Sequence, residues 1–174
     1  TRDPVGPPAF VAASPHGKVP AMVDGALRLS ESAAITMHLS DRFPQARLAP
    51  APSDPLRADW YRWLILLTAT IQTPIYQMIY PQRFAADRLM VGRVRNVAER
   101  ALSERLDWLE GELTERDHLV GDTVTSADIF LWMLIPWTRH MVEPAFTRPA
   151  TRAYWERIGE RPAVARVVEL EGIV

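Results

Sequence analysis

The chain has 174 residues, enough for one large domain or two small ones, with a formal net charge of −1 and 48% hydrophobic residues. That balance offers no electrostatic footprint for nucleic acid or an anionic membrane, and the absence of cysteine excludes disulfides, cysteine-ligated zinc and a cysteine nucleophile within these residues. The longest apolar runs, 63–67 and 129–137, fall well short of the ~20 residues that span a bilayer.

The chain opens on Thr1, followed at once by Pro4, Pro7 and Pro8. This start reads as the interior of a longer protein, with any targeting segment upstream. No signal-peptide pattern is visible, and the expected location is cytoplasmic. Residues 1–18 are rich in proline, alanine and glycine, with room for one short helix over 8–13. Two short apolar runs, 19–23 and 26–29, flank the turn signal Asp24-Gly25 and predict a β-hairpin. A helix follows over 31–42, with Ala34, Ile35, His38 and Leu39 on one face, and Pro44 stops it. An isolated hairpin is marginal in water, so this region needs at least one more strand.

Pro44, Pro50, Pro52 and Pro55 stand among small and polar residues and mark a linker. The domain reading is therefore 1–46, a linker over 47–58, and an all-helical domain over 59–174. In the helical part, 56–80 carries Trp60, Trp63, Leu64, Leu67, Ile71, Ile75 and Met78 at steps of three and four, with Pro74 expected to kink it. Residues 87–114 form a long helix with the stripe Val94, Val97, Ala98, Ala101, Leu102, Leu106, Leu109 and Leu113. Its arginines at 88, 93, 95, 100 and 105 alternate with Glu99, Glu104, Asp107 and Glu110, which reads as a solvated face. Further helices are expected over 126–140, 147–161 and 162–169. Thr125-Ser-Ala-Asp128 has the spacing of a capping box, and Val124 and Ile129 occupy the positions of a hydrophobic staple. On physics alone that is helix punctuation.

Two segments carry potential chemistry. In Ser14-Pro-His-Gly-Lys-Val-Pro-Ala21 the Val19–Pro20 bond is expected trans, and spacing alone reads as a loop leading into a strand. With a cis bond, the Val19 amide and carbonyl would face outward and an extended peptide could pair with them as an added strand. In Leu29-Ser-Glu-Ser-Ala33 a helix start offers free amides to an anion; the Ser32 hydroxyl adds a donor and Glu31 could hold an ammonium. That combination suits an α-amino-acid group. The plainer reading makes Ser30 an N-cap and Glu31 a first-turn acid. The four histidines (16, 38, 118 and 140) lack metal-ligand spacing, and His38 is expected in the core.

Taken together and in order, residues 14–35 closely resemble the glutathione-binding half of the glutathione transferases, a bacterial beta/theta-like pattern. That family's consensus runs Asn-Pro-x-Gly-(Lys or Gln)-Val-Pro-Ala-Leu, a hairpin, then Glu-Ser-x-Ala-Ile. Its helical domain typically shows Gly-x-x-x-(Ser or Thr)-x-x-Asp, matched by Gly121, Thr125 and Asp128, and Arg-Pro-Ala-Val, matched by Arg161 to Val164. The resemblance covers essentially the whole chain.

The resemblance implies an α/β plus all-α fold: a partial thioredoxin-like N-terminal domain followed by an all-helical glutathione-transferase C-terminal domain. It makes Pro20 the cis-proline, Val19 the backbone partner of the cysteinyl part of glutathione, and Glu31 and Ser32 the holders of the γ-glutamyl end. Lys18 is expected to reach a glutathione carboxylate. Ser14 replaces the usual Asn and shapes the loop. The electrophile pocket is lined partly by the helix over 56–80, where Tyr76 and Tyr80 share a face; core or interface packing is the competing reading of that pair. The implied activity is conjugation of the glutathione thiol to a hydrophobic electrophile, a detoxifying reaction, with glutathione as co-substrate, no metal, and a homodimer as the assembly. Related glutathione-dependent isomerisation, reduction or dehalogenation, or a non-catalytic protein-assembly module, are the alternatives. In the family the first strand, first helix and second strand precede the region where this sequence begins, and the residue that activates the thiol lies near the end of that first strand. No residue here is assigned that role, so the catalytic residue is unknown.

Overall fold

A computed structural model describes residues 7–172. Thr1 and Pro4 of the proline-rich start lie outside the described residues. The chain divides into two compact units between Ala51 and Pro52.

In the first unit, α1 (Pro8–Ala13) starts with Pro8 at its first position, where the missing amide costs no hydrogen bond. Gly17 then turns the chain at φ 61°. Strands β1 (Ala21–Asp24) and β2 (Leu27–Ser30) pair antiparallel with Ala21 opposite Ser30, Met22 opposite Leu29, Val23 opposite Arg28 and Asp24 opposite Leu27. The two-residue loop is thus Gly25–Ala26, one position later than the Asp24-Gly25 signal suggests, and Gly25 takes the left-handed φ of 59° that the tight turn needs. Helix α2 (Ser32–Arg42) packs on both strands. It buries Ala33, Ile35 and Ser40, whereas Leu39, expected inside, is 41% exposed. His38 is not a silent core residue either: its Nε2 lies 3.0 Å from Asp24 Oδ2 and ties α2 to the hairpin turn. Among the described residues the sheet has two strands, a shortened thioredoxin-like arrangement.

The second unit is all helical. Helix α3 (Arg57–Ile65) continues through a π-helical stretch over Leu66–Gln72 into α4 (Thr73–Ile79). Pro74 cannot donate to the carbonyl four residues back and its ring crowds that carbonyl. The widened turn before it absorbs this perturbation, and Pro74 itself is buried near the start of α4. Asp87 caps the next helix, its carboxylate accepting from the amides of Leu89 at 2.8 Å and Met90 at 3.0 Å. Helix α5 (Val91–Thr114) follows and buries Ala98, Leu102, Leu106, Leu109 and Leu113; Val97, placed on the stripe by periodicity, is half exposed. Then come α6 (Ser126–Leu134), a 3-10 segment over Ile135–His140, α7 (Pro149–Gly159) and α8 (Pro162–Glu171). The core gathers Trp60, Trp63, Leu64 and Leu67 of the first long rod with Ile71, Ile75, Met78 and Ala98, Leu102, Leu106 and Leu109 of α5, all essentially without solvent exposure.

One carboxylate anchors this core. Asp128 is fully buried and accepts four hydrogen bonds: from the Thr125 amide at 2.7 Å, the Thr125 hydroxyl at 3.0 Å, the Leu119 amide at 2.8 Å and the Tyr154 hydroxyl at 2.7 Å. Both halves of the capping box are formed. Burial, with the Asp128 charge and hydrogen bond behind it, raises the Tyr154 hydroxyl well above its ordinary pKa, so it stays a donor. Gly121, four residues before Thr125, sits at φ 60°, and a Cβ there would come within 2.8 Å of Leu56 Cδ1. A second carboxylate, Glu110 of α5, reaches the start of α7 and accepts from the amides of Ala150 at 2.7 Å and Thr151 at 2.8 Å and from the Thr151 hydroxyl at 2.8 Å. It does from another helix what an N-cap does from its own.

Candidate functional site

Hairpin register decides what meets at the open end of the first unit. Ala21 is the first paired residue of β1 and Ser30 the last of β2, and they face each other. Val19 and Pro20 immediately precede the one, and Glu31 and Ser32 immediately follow the other. Two segments far apart in sequence are therefore brought to one edge, because directly paired Cα atoms in such a ladder lie only about 5 Å apart.

The loop that leads in is held by Ser14. Its side chain is almost fully buried, and its hydroxyl donates to the Lys18 carbonyl at 2.6 Å while accepting from the Lys18 amide at 2.8 Å. A serine thus performs both hydrogen bonds that fix the loop. The Val19–Pro20 peptide bond is cis, as the family resemblance implies and against the trans default expected from spacing alone. Val19 is 76% exposed and lies outside the strand ladder. Lys18 and Pro20 are exposed as well.

On the other side, Glu31 is the N-cap residue of α2 rather than a first-turn acid, and it takes φ 72°, ψ 116°. Such a conformation costs a non-glycine residue about 1–3 kcal/mol and persists only where the surroundings impose it. Among the described residues, no side chain caps α2. The first intrahelical bond runs from the Ile35 amide to the Glu31 carbonyl at 2.9 Å, which leaves the amides before Ile35 as the orphan donors of the helix start. Ser32, the first helical residue, is half buried beside them and Glu31 is exposed. An uncapped helix start, a hydroxyl and a carboxylate at one edge have the chemistry that a group carrying both negative and positive charge requires.

Within the second unit, Tyr76 and Tyr80 stack with ring centroids 6.2 Å apart. Trp137, which sequence reasoning did not single out, meets the Tyr76 ring edge-on at 5.8 Å. Arg83 lies over the Tyr80 ring at 4.4 Å. All three aromatic side chains keep partial exposure. No periodicity links Tyr76 to Trp137, and its one local signal was an aromatic residue directly after Pro136. Among the described residues, no group of three His, Asp or Glu side chains is placed to hold a metal ion, and no helix is long and apolar enough to cross a membrane.

This arrangement can be set beside known proteins. The family model for the glutathione S-transferase N-terminal domain matches residues 2–47, and that for the glutathione S-transferase C-terminal domain matches residues 93–162. The chain belongs to the glutathione S-transferase family. Its similar relatives include glutathione S-transferase F10 of Arabidopsis thaliana, 27% identical over 169 residues that cover 90% of this chain and 75% of the relative. Glutathione S-transferase GstA of Escherichia coli O157:H7 is 24% identical, with 94% of this chain and 79% of the relative covered. Among solved structures, a sphingomonad glutathione S-transferase complexed with glutathione superposes with a TM-score of 0.83 at 29% identity, covering 95% of this chain and 79% of that one. The beta-class enzyme of Sphingomonas chungbukensis gives a TM-score of 0.83 at 28% identity, with the same coverage. The fold is thus a shortened thioredoxin-like N-terminal domain followed by the family's all-helical domain.

Proposed function

We propose that this family member binds glutathione through Lys18, Val19, Pro20, Glu31 and Ser32 and conjugates the intact molecule, through its thiol sulfur, to a hydrophobic electrophile accepted by Tyr76 and Tyr80. The observation that carries the binding half is the uncapped start of α2, placed by the hairpin register beside the exposed Val19. The γ-glutamyl end of glutathione carries one carboxylate and one ammonium. The orphan amides and the Ser32 hydroxyl suit the first, and the Glu31 carboxylate suits the second. The Val19 backbone suits the cysteinyl amide as an added strand, and the Lys18 ammonium suits a remaining carboxylate. The strained backbone at Glu31 supports the same reading, since a side chain held at that angle is aimed rather than relaxed. A relative's bound glutathione agrees with this chemistry.

Conjugation forms a carbon–sulfur bond and expels a leaving group or opens a strained ring, and the nucleophile is the thiolate. No described residue is assigned to favour that thiolate. The stacked tyrosines offer an apolar surface with hydroxyls at its rim, suited to an aromatic electrophile. We propose the assembly to be a homodimer, as the family resemblance implies.

The test uses the 174-residue chain on immobilised glutathione, followed by titration calorimetry and a conjugation assay with chlorodinitrobenzene. The expected outcome is specific elution by free glutathione. A chain that keeps its helical circular dichroism yet does not bind glutathione sinks the proposal. Binding without turnover on any electrophile favours the assembly-module reading over the enzyme.

A further inference from the structure

The 3-10 segment over Ile135–His140 carries Trp137, and its second residue is Pro136. Proline supplies no amide, so the helical ladder of α6 loses a bond at that point and the geometry tightens to 3-10. Beyond Pro136, side chains add to the backbone bonds of the 3-10 turn, such as that from the Met141 amide to the Thr138 carbonyl at 2.9 Å. Thr138, fully buried, donates its hydroxyl to the Ile135 carbonyl at 2.7 Å and accepts from the Ala145 amide at 2.9 Å. Those bonds stay within the local stretch. Two others reach across to α5. Arg95 Nη2 donates to the His140 carbonyl at 3.0 Å, and Glu99 Oε1 accepts from the Val142 amide at 2.6 Å.

Arg95 and Glu99 are four residues apart, so both project from one face of α5. Both bonds go to backbone groups, and both are charge-assisted, the stronger kind. The cation sits on the last carbonyl of a helical turn, where the dipole favours it. Helix α5 also packs against α4, the helix that carries Tyr76. One rigid helix therefore references both sides of the Tyr76–Trp137 contact: Tyr76 through α4 packing, and Trp137 through the two backbone clamps.

We infer that Arg95 and Glu99 are positioning residues that clamp the chain after Trp137 to α5 and so set the spacing between Trp137 and Tyr76 at the proposed electrophile site. The inference rests on the reading of Tyr76 and Tyr80 given under Proposed function. The clamp itself is a property of the backbone, independent of what occupies that site.

The test is fluorine NMR of the full 174-residue chain labelled with 5-fluorotryptophan, the Trp137 resonance being assigned by its loss in Trp137→Phe. In the double variant Arg95→Ala/Glu99→Ala the Trp137 signal shifts and broadens while the other five tryptophan signals hold. Glu99→Gln, which keeps an acceptor for the Val142 amide, retains most of the original shift. Dinitrobenzene, titrated into the unsubstituted chain, moves the Trp137 resonance, and its affinity falls about fivefold in the double variant. An unmoved Trp137 signal in a folded double variant overturns the clamp. A Trp137 signal that responds to the double variant but not to dinitrobenzene overturns the electrophile-site role and leaves the clamp as architecture only.

Discussion

Two helix starts in this molecule are written in similar letters and do opposite work. Helix α6 opens on Thr125-Ser-Ala-Asp128, and the amides of Thr125, Ala127, Asp128 and Ile129 all find partners inside the protein, with Asp128 itself completely buried. Helix α2 opens on Glu31-Ser-Ala, with no side-chain cap, a left-handed glutamate and an exposed carboxylate. A buried and satisfied start stabilises the fold, because an unpaired amide or carboxylate in the interior costs several kcal/mol. An unsatisfied start at the surface costs little, because water fills in, and it keeps its donors free for a ligand. The same contrast runs through the two units. Both units expose some large apolar side chains, but the helical unit has a core of fully buried ones such as Trp60, Trp63, Leu64 and Tyr154, whereas among the described residues of the first unit the most buried large apolar side chain, Ile35, keeps 9% exposure.

The largest effect should fall on the satisfied start. Asp128→Ala strands the Leu119 and Thr125 amides and the Tyr154 hydroxyl in the interior, and is expected to cost about 4 kcal/mol in urea denaturation. A loss of only about 1 kcal/mol would mean that Asp128 is a local cap and not a hub. Glu110→Gln comes next, at about 2 kcal/mol near neutral pH, since it weakens the cap on α7. Burial pushes the Glu110 carboxyl upward, but the bonds from Ala150 and Thr151 and the nearby Arg148 charge outweigh it, and its pKa is lowered. A lowered carboxylate contributes stability above its unfolded pKa and loses it as pH falls through the folded value. The gap between the unsubstituted chain and Glu110→Gln should therefore narrow from about pH 6 to about pH 3 in the same assay. A constant gap would separate the bonds from the charge.

At the open start the expected effects move from stability to binding. Ser32→Ala should weaken glutathione binding about fivefold by calorimetry while shifting unfolding by less than about 0.5 kcal/mol. Equal losses in both would make Ser32 a structural residue. Smallest of all, Glu31→Gly relieves the positive φ and should stabilise the chain by about 0.5 kcal/mol, while lowering glutathione affinity through the lost carboxylate. A destabilised Glu31→Gly variant would show that the glutamate is held there for the fold.

Part of this site was legible before any coordinates. The turn at Gly25 and the capping-box spacing rest on local rules, in which residues a few positions apart dictate their own backbone. Placement inside the core is different in kind. His38 was expected in the core and instead pairs with Asp24; Leu39 and Val97 fit the apolar periodicity and face solvent. Periodicity reports which residues share a face, and only the neighbouring elements decide how much of that face is covered. The α5 carboxylates make the same point. Alternation with arginines read as a solvated face, yet Asp107 bonds the buried Arg148 at 2.7 Å and Glu110 caps α7.

By itself, then, the sequence determined the hairpin, the helices and their punctuation, because each is settled by contacts within about one turn or one strand pair; the Val-Pro and Glu-Ser segments pointed to glutathione only through the resemblance to a known family. The strained backbone of Glu31, the π-helical detour ahead of Pro74 and the meeting of Trp137 with Tyr76 were decided only in the tertiary structure. Each depends on partners distant in the chain or on a local conformation that the rest of the fold must hold in place, and no window of neighbouring residues contains that information.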